Sequence, residues 1–67
     1  MSADYLQLVE IMRSLPAHTA TTTQLARSSE RSILTVATDI RRMTAEGIVE
    51  YTGEATYRLK EQRLLWQ

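Results

Sequence analysis

The chain has 67 residues, no cysteine, two glycines, and eight basic residues against eight acidic ones, for a formal net charge of zero. That length bounds it to a single small domain, residues 1–67, which buries only roughly 60% of its unfolded surface and gains from a partner. The absent cysteines exclude a disulfide framework and a thiolate metal site, and two glycines are too few for a phosphate-binding glycine loop.

The first element is predicted as a helix over residues 2–15. Ser2 is a plausible N-cap, and Asp4 suits the positive end of the helix dipole. Tyr5, Leu8, Val9, Met12 and Leu15 recur at helical spacing and make one apolar face. Leu6 falls off that face and Ile11 lies near its edge. Pro16 stops the helix, because the residue before a proline avoids the helical region.

His18, Thr19 and Ala20 form a threonine-rich connector that can add a short edge strand to a sheet. Thr21 opens the second helix, since Thr21-Thr22-Thr23-Gln24 fits a capping box. Leu25 and Ala26 are expected to face inward, and Ser28-Ser29-Glu30-Arg31 to form a polar turn. Ser32 is a second N-cap and begins a helix over residues 32–46. In that helix Val36, Ile40 and Met43 make the buried stripe, and Gly47 ends it. Residues 48–51 and 56–59 read as strands, with Thr52-Gly53-Glu54-Ala55 as the turn between them. The tail from Lys60 to Gln67 is expected to form a short helix carrying Leu64, Leu65 and Trp66.

The fold class that follows is mainly α with a small β-hairpin wing: a winged helix-turn-helix of three helices and a two- or three-stranded antiparallel sheet. No apolar run approaches the ~20 residues of a membrane span. The start MSADYLQL has neither a basic leader nor an apolar core, so a cytoplasmic location is the expectation. Lone His18 has no second ligand at metal spacing, and no nucleophile here sits beside a base and an orienting acid. A non-enzymatic protein without metal or cofactor is expected.

From Thr21 to Leu59 the chain resembles the winged helix-turn-helix transcription regulators, of the kind found in multiple-antibiotic-resistance-type repressors and small fimbrial regulators. The residues that carry the resemblance are Leu25-Ala26, Ser32, Val36, Ile40, Met43, Glu46-Gly47-Ile48-Val49 and Tyr57-Arg58-Leu59. Two features depart from it. Ser29, Glu30 and Arg31 occupy a turn where apolar residues or glycine are usual, and the wing tip carries the acidic Glu54.

The resemblance implies a sequence-specific, DNA-binding transcriptional regulator whose helix 32–46 enters the major groove of double-stranded DNA. Stepping 100° per residue from Val36 points Leu34, Thr38, Arg41 and Ala45 outward, with Ala37 and Arg42 on the flanks. Leu34, Ala37, Thr38 and Arg41 are then the candidate base readers: Arg41 for guanine O6 and N7, the others for hydrogen bonds or thymine methyls. Arg27, Arg31 and Arg42, with Thr22 or Thr23 at a helix start, are candidates for phosphates, and Arg58 in the wing is a weaker one. Asp39 is placed to pair with Arg42 or Arg31 and dull their charge.

A homodimer is expected, with Leu6, Ile11, Leu64, Leu65 and Trp66 as its surface; the alternative is that Trp66 and Leu64 fold back to cap the monomer core. The competing functional reading is a winged-helix protein-interaction module, or an antagonist of another regulator, that binds no specific DNA. The zero net charge, Leu34 and the acidic wing tip favour it.

Overall fold

The computed structural model describes residues 3–60. In chain order they form helix α1 (Ala3–Arg13), strand β1 (Thr19–Thr21), helix α2 (Thr22–Ser29), helix α3 (Ile33–Ala45) and strands β2 (Val49–Gly53) and β3 (Thr56–Leu59). The strands make one antiparallel sheet in the order β1-β3-β2. Thr19 pairs with Arg58 on one side of β3, and Val49 pairs with Leu59 on the other. Three helices beside a small sheet with a hairpin is the winged-helix arrangement. None of the described helices is long and apolar enough to cross a membrane. Ser2 and the tail residues Leu64, Leu65 and Trp66 lie outside the described residues.

One core joins every element. Tyr5, Leu8, Val9 and Met12 of α1 meet Leu25 and Ala26 of α2, Val36, Ile40 and Met43 of α3, and Ala20, Val49 and Leu59 from the three strands. Each helix contributes one stripe at helical spacing, so burial of the three stripes and the inner sheet face is the main stabilising term. Tyr51 and Tyr57 continue the inner face towards the wing tip, their rings tilted at 59° with centroids 5.2 Å apart.

The helix ends show why the elements stop where they do. α1 finishes two residues earlier than its apolar periodicity predicts. The Ser14 and Leu15 amides donate to the carbonyls of Ile11 and Met12, both at 3.1 Å, tightening the last turn. Leu15 is then extended (φ −100°, ψ 154°), as the residue ahead of Pro16 has to be. At the start of α2 the capping box is complete: Gln24 N–H donates to Thr21 Oγ1 at 3.0 Å, and Thr21 N–H donates to Gln24 Oε1 at 3.1 Å. Ser32 caps α3 by accepting from Thr35 N–H at 3.1 Å.

The polar turn is shorter than expected. Ser28 and Ser29 belong to α2, and Ser29 is buried, its hydroxyl donating to the Ala26 carbonyl at 3.3 Å. Glu30 takes the left-handed conformation (φ 59°) and closes the helix. Its N–H reaches the Arg27 carbonyl (3.3 Å) and Arg31 N–H the Ala26 carbonyl (3.1 Å). α3 ends the same way. Gly47 (φ 81°) donates to Thr44, and Ile48 to Met43. Both are Schellman closures; one uses the expected glycine and the other a glutamate.

Arg31 holds the turn in place. Its Nη1 lies 2.9 Å from Asp39 Oδ2 on α3 and 3.8 Å from Asp4 Oδ2 on α1. Its Nη2 donates to the Asp4 carbonyl at 3.4 Å. The Arg31 and Asp39 side chains are only 18% and 15% exposed, so bulk water screens this pair weakly.

The hairpin also differs in detail. β2 begins at Val49, because Ile48 N–H closes α3, and it runs on to Gly53, which pairs with Thr56 across a bulge. The turn itself is Glu54-Ala55, with both φ values positive (53° and 59°). A two-residue turn of that hand matches strand twist, but asparagine and glycine normally supply it. The Ala55 carbonyl accepts from Thr22 N–H at 3.2 Å, hooking the wing tip onto the start of α2.

Two measurements check this account. Replacing Glu54-Ala55 by Asn-Gly is expected to stabilise the fold by about 1 kcal/mol and raise Tm by about 5 °C in calorimetry. In a double-mutant cycle of Arg31→Met with Asp39→Asn, denaturant titrations are expected to show a coupling energy of about 1–2 kcal/mol. A coupling near zero would remove the ion pair as the element that fixes the turn.

Candidate nucleic-acid interface

α3 is propped from behind by α1, α2 and β2, and its opposite face has no cover among the described residues. Leu34, Thr38, Arg41 and Ala45 all lie exposed on that face, Arg42 is exposed beside them, and Ala37 is half-buried on the flank. Leu34 is 81% exposed. Thr38, Arg41, Arg42 and Ala45 line a shallow depression. Thr38 Oγ1 donates to the Leu34 carbonyl at 3.0 Å. Its proton is therefore used within the helix, and what it presents outward is a lone pair and a methyl group.

The charge on this face depends on where Asp39 points. It pairs with Arg31 rather than Arg42, and it is turned inward. Among the described residues, neither Arg41 nor Arg42 has a carboxylate within salt-bridge distance, and Arg27, exposed in the last turn of α2, has none either. A chain with no net charge thus presents an exposed helix face whose charged side chains are both cationic.

Three of the residues nominated as phosphate contacts are placed for other tasks. Arg31 is removed from the exposed set, because Asp39, and more distantly Asp4, hold its guanidinium, and its Nε is buried without a hydrogen-bond partner. Arg58 is paired with Glu50 across the β2–β3 register, so its charge is partly neutralised. Thr22 is half-buried, and its amide donates to Ala55. Thr23, by contrast, is exposed in the first turn of α2.

Of the residues expected at a dimer surface, Leu6 is half-exposed on α1, whereas Ile11 packs in part against the core. Ile33 was not singled out by periodicity, which places it about 60° from Val36 and so near the buried side. It is nonetheless 52% exposed. Core burial in α3 starts only at Val36, and its first turn overhangs the core. The position of Ser32 as the cap, one residue before Ile33, was the available signal.

No protein-family model, curated protein or solved structure matches this chain.

Proposed function

We propose that this protein is a binding module that docks α3 in the major groove of duplex DNA and acts as a sequence-specific transcriptional regulator. The observation that carries the reading is the outward face of α3, where Thr38, Arg41 and Arg42 stand exposed while Asp39 is drawn inward by Arg31. An exposed helix on a three-helix scaffold matches groove dimensions, since the major groove admits one α-helix. Arg41 is the reader of guanine O6 and N7, and Arg42, Arg27 and Thr23 are the phosphate contacts. The wing has a secondary part, because Glu54 at its tip repels phosphate and Arg58 is held by Glu50.

Zero net charge implies weak non-specific attraction, so affinity has to come from base contacts and from doubling of the site. A homodimer on two half-sites supplies the doubling, and Leu6 is the exposed apolar residue of α1 available for it.

The exposed aliphatic pair Ile33 and Leu34 favours a second reading, in which α3 meets a protein. The two readings separate in one experiment. Selection from a random-sequence duplex library at two salt concentrations is expected to enrich a defined site. On that site, Arg41→Ala is expected to lose about 1–3 kcal/mol and relax preference at one base pair. Arg42→Ala is expected to weaken all sequences alike and to lower the salt slope by about one. No enrichment, together with a Leu34→Asp variant that abolishes a stable complex with a protein, would overturn the DNA reading.

A further inference from the structure

We infer that the leading turn of α3 reads the C5 methyl of a thymine, and that this methyl lies within about three base-pair steps of the guanine gripped by Arg41. The inference rests on the DNA-binding reading above and specifies the sequence class that it selects. Ile33 and Leu34 are two adjacent aliphatic side chains at the start of the helix, 52% and 81% exposed. Neither has a donor or acceptor to offer a base, so the one major-groove feature they complement is the methyl group of thymine. Ala37, half-buried on the flank one turn on, leaves a low wall beside them.

The spacing follows from helix geometry. Leu34 and Arg41 are seven residues apart on one face, which is about 10 Å along the axis at 1.5 Å per residue. Base pairs rise about 3.4 Å each along the duplex axis and a helix in the groove lies oblique to that axis, so the distance covers at most about three steps. Thr38 lies between them. With its hydroxyl proton committed to the Leu34 carbonyl, it can accept from an adenine or cytosine amino group but has no free proton for an acceptor. The charge pattern agrees with this polarity. Arg41, Arg42 and Arg27 can engage phosphates and guanine, while the leading turn of α3 is uncharged.

The test uses the full chain and its own selected duplex. The duplex is rebuilt with deoxyuridine at each thymine in turn, and binding is measured by fluorescence anisotropy. Loss of one methyl at the contacted step is expected to weaken wild-type binding about fourfold. In the double variant Ile33→Ala/Leu34→Ala the thymine and uracil duplexes are expected to bind equally, whereas Leu34→Met is expected to keep most of the preference. Ile33 and Leu34 are exposed, so far-UV circular dichroism and Tm are expected to change little in both variants. A second arm places 5-methylcytosine at the same step. Binding tighter than to unmethylated cytosine at that step supports a contact to the methyl group, and equal binding of the two cytosine duplexes counts against it.

A selected site that is indifferent to every uracil substitution overturns the inference while leaving DNA binding intact. So does a variant carrying both Ile33→Ala and Leu34→Ala that still discriminates thymine from uracil. A wild type that selects no duplex at all overturns the DNA reading itself, and this inference with it.

Discussion

The ion pair between Arg31 and Asp39 is the contact on which the arrangement turns. It joins the α2–α3 turn to the middle of α3, and Asp4 extends it to α1. Its structural effect is to fix the angle between two helices whose connection is only a few residues long. Its electrostatic effect is to withdraw a carboxylate from the helix that carries Arg41 and Arg42. Both effects need the pair to be mostly buried, because an exposed pair would be screened and would contribute little. The buried and unpartnered Nε of Arg31 shows that the site is not ideal. The geometry is held by the core on either side rather than by the ion pair alone.

That core is small, and the backbone around it carries strain. Ala17, His18, Glu30, Glu54 and Ala55 all adopt positive φ without being glycine. Such conformations cost about 1–2 kcal/mol each for ordinary residues. They persist because local bonds and packing determine them: the Schellman closure at Glu30, and the Thr22–Ala55 hydrogen bond at the wing tip. The same hydrogen bond ties the sheet to the start of α2. A frame joined by one core and this hydrogen bond suits a binding face that has to present several side chains in one orientation.

The neutral composition hides a segregated surface. Asp39 and Glu50 are held in ion pairs, and the charged side chains on the outer face of α3 itself are Arg41 and Arg42, with the exposed Glu46 at its C-terminal end. Long-range steering depends on net charge and is weak here, whereas short-range recognition depends on which groups face outward. In the proposed function, selectivity therefore rests on base edges and on the aliphatic first turn of α3, with phosphate contacts in a supporting part.

Much of this was legible in the sequence. The capping box at Thr21 and Gln24, the cap at Ser32, the stripe of Val36, Ile40 and Met43, and the glycine after α3 are local patterns, and they determine where helices begin, which side they bury and where they end. The outward direction of Leu34, Thr38 and Arg41 follows from the same periodicity. Other features are settled only by contacts between residues distant in the chain. Periodicity left Asp39 equally able to face Arg31 or Arg42, and only the packing of the turn against α1 and α3 chose Arg31. Arg58 and Thr22 looked like surface contacts until sheet register set Arg58 against Glu50 and hairpin closure set Thr22 against Ala55. Local spacing encodes which face of a helix is apolar; only the assembled tertiary structure decides which charges neutralise one another, because that depends on distances the chain creates when it closes on itself.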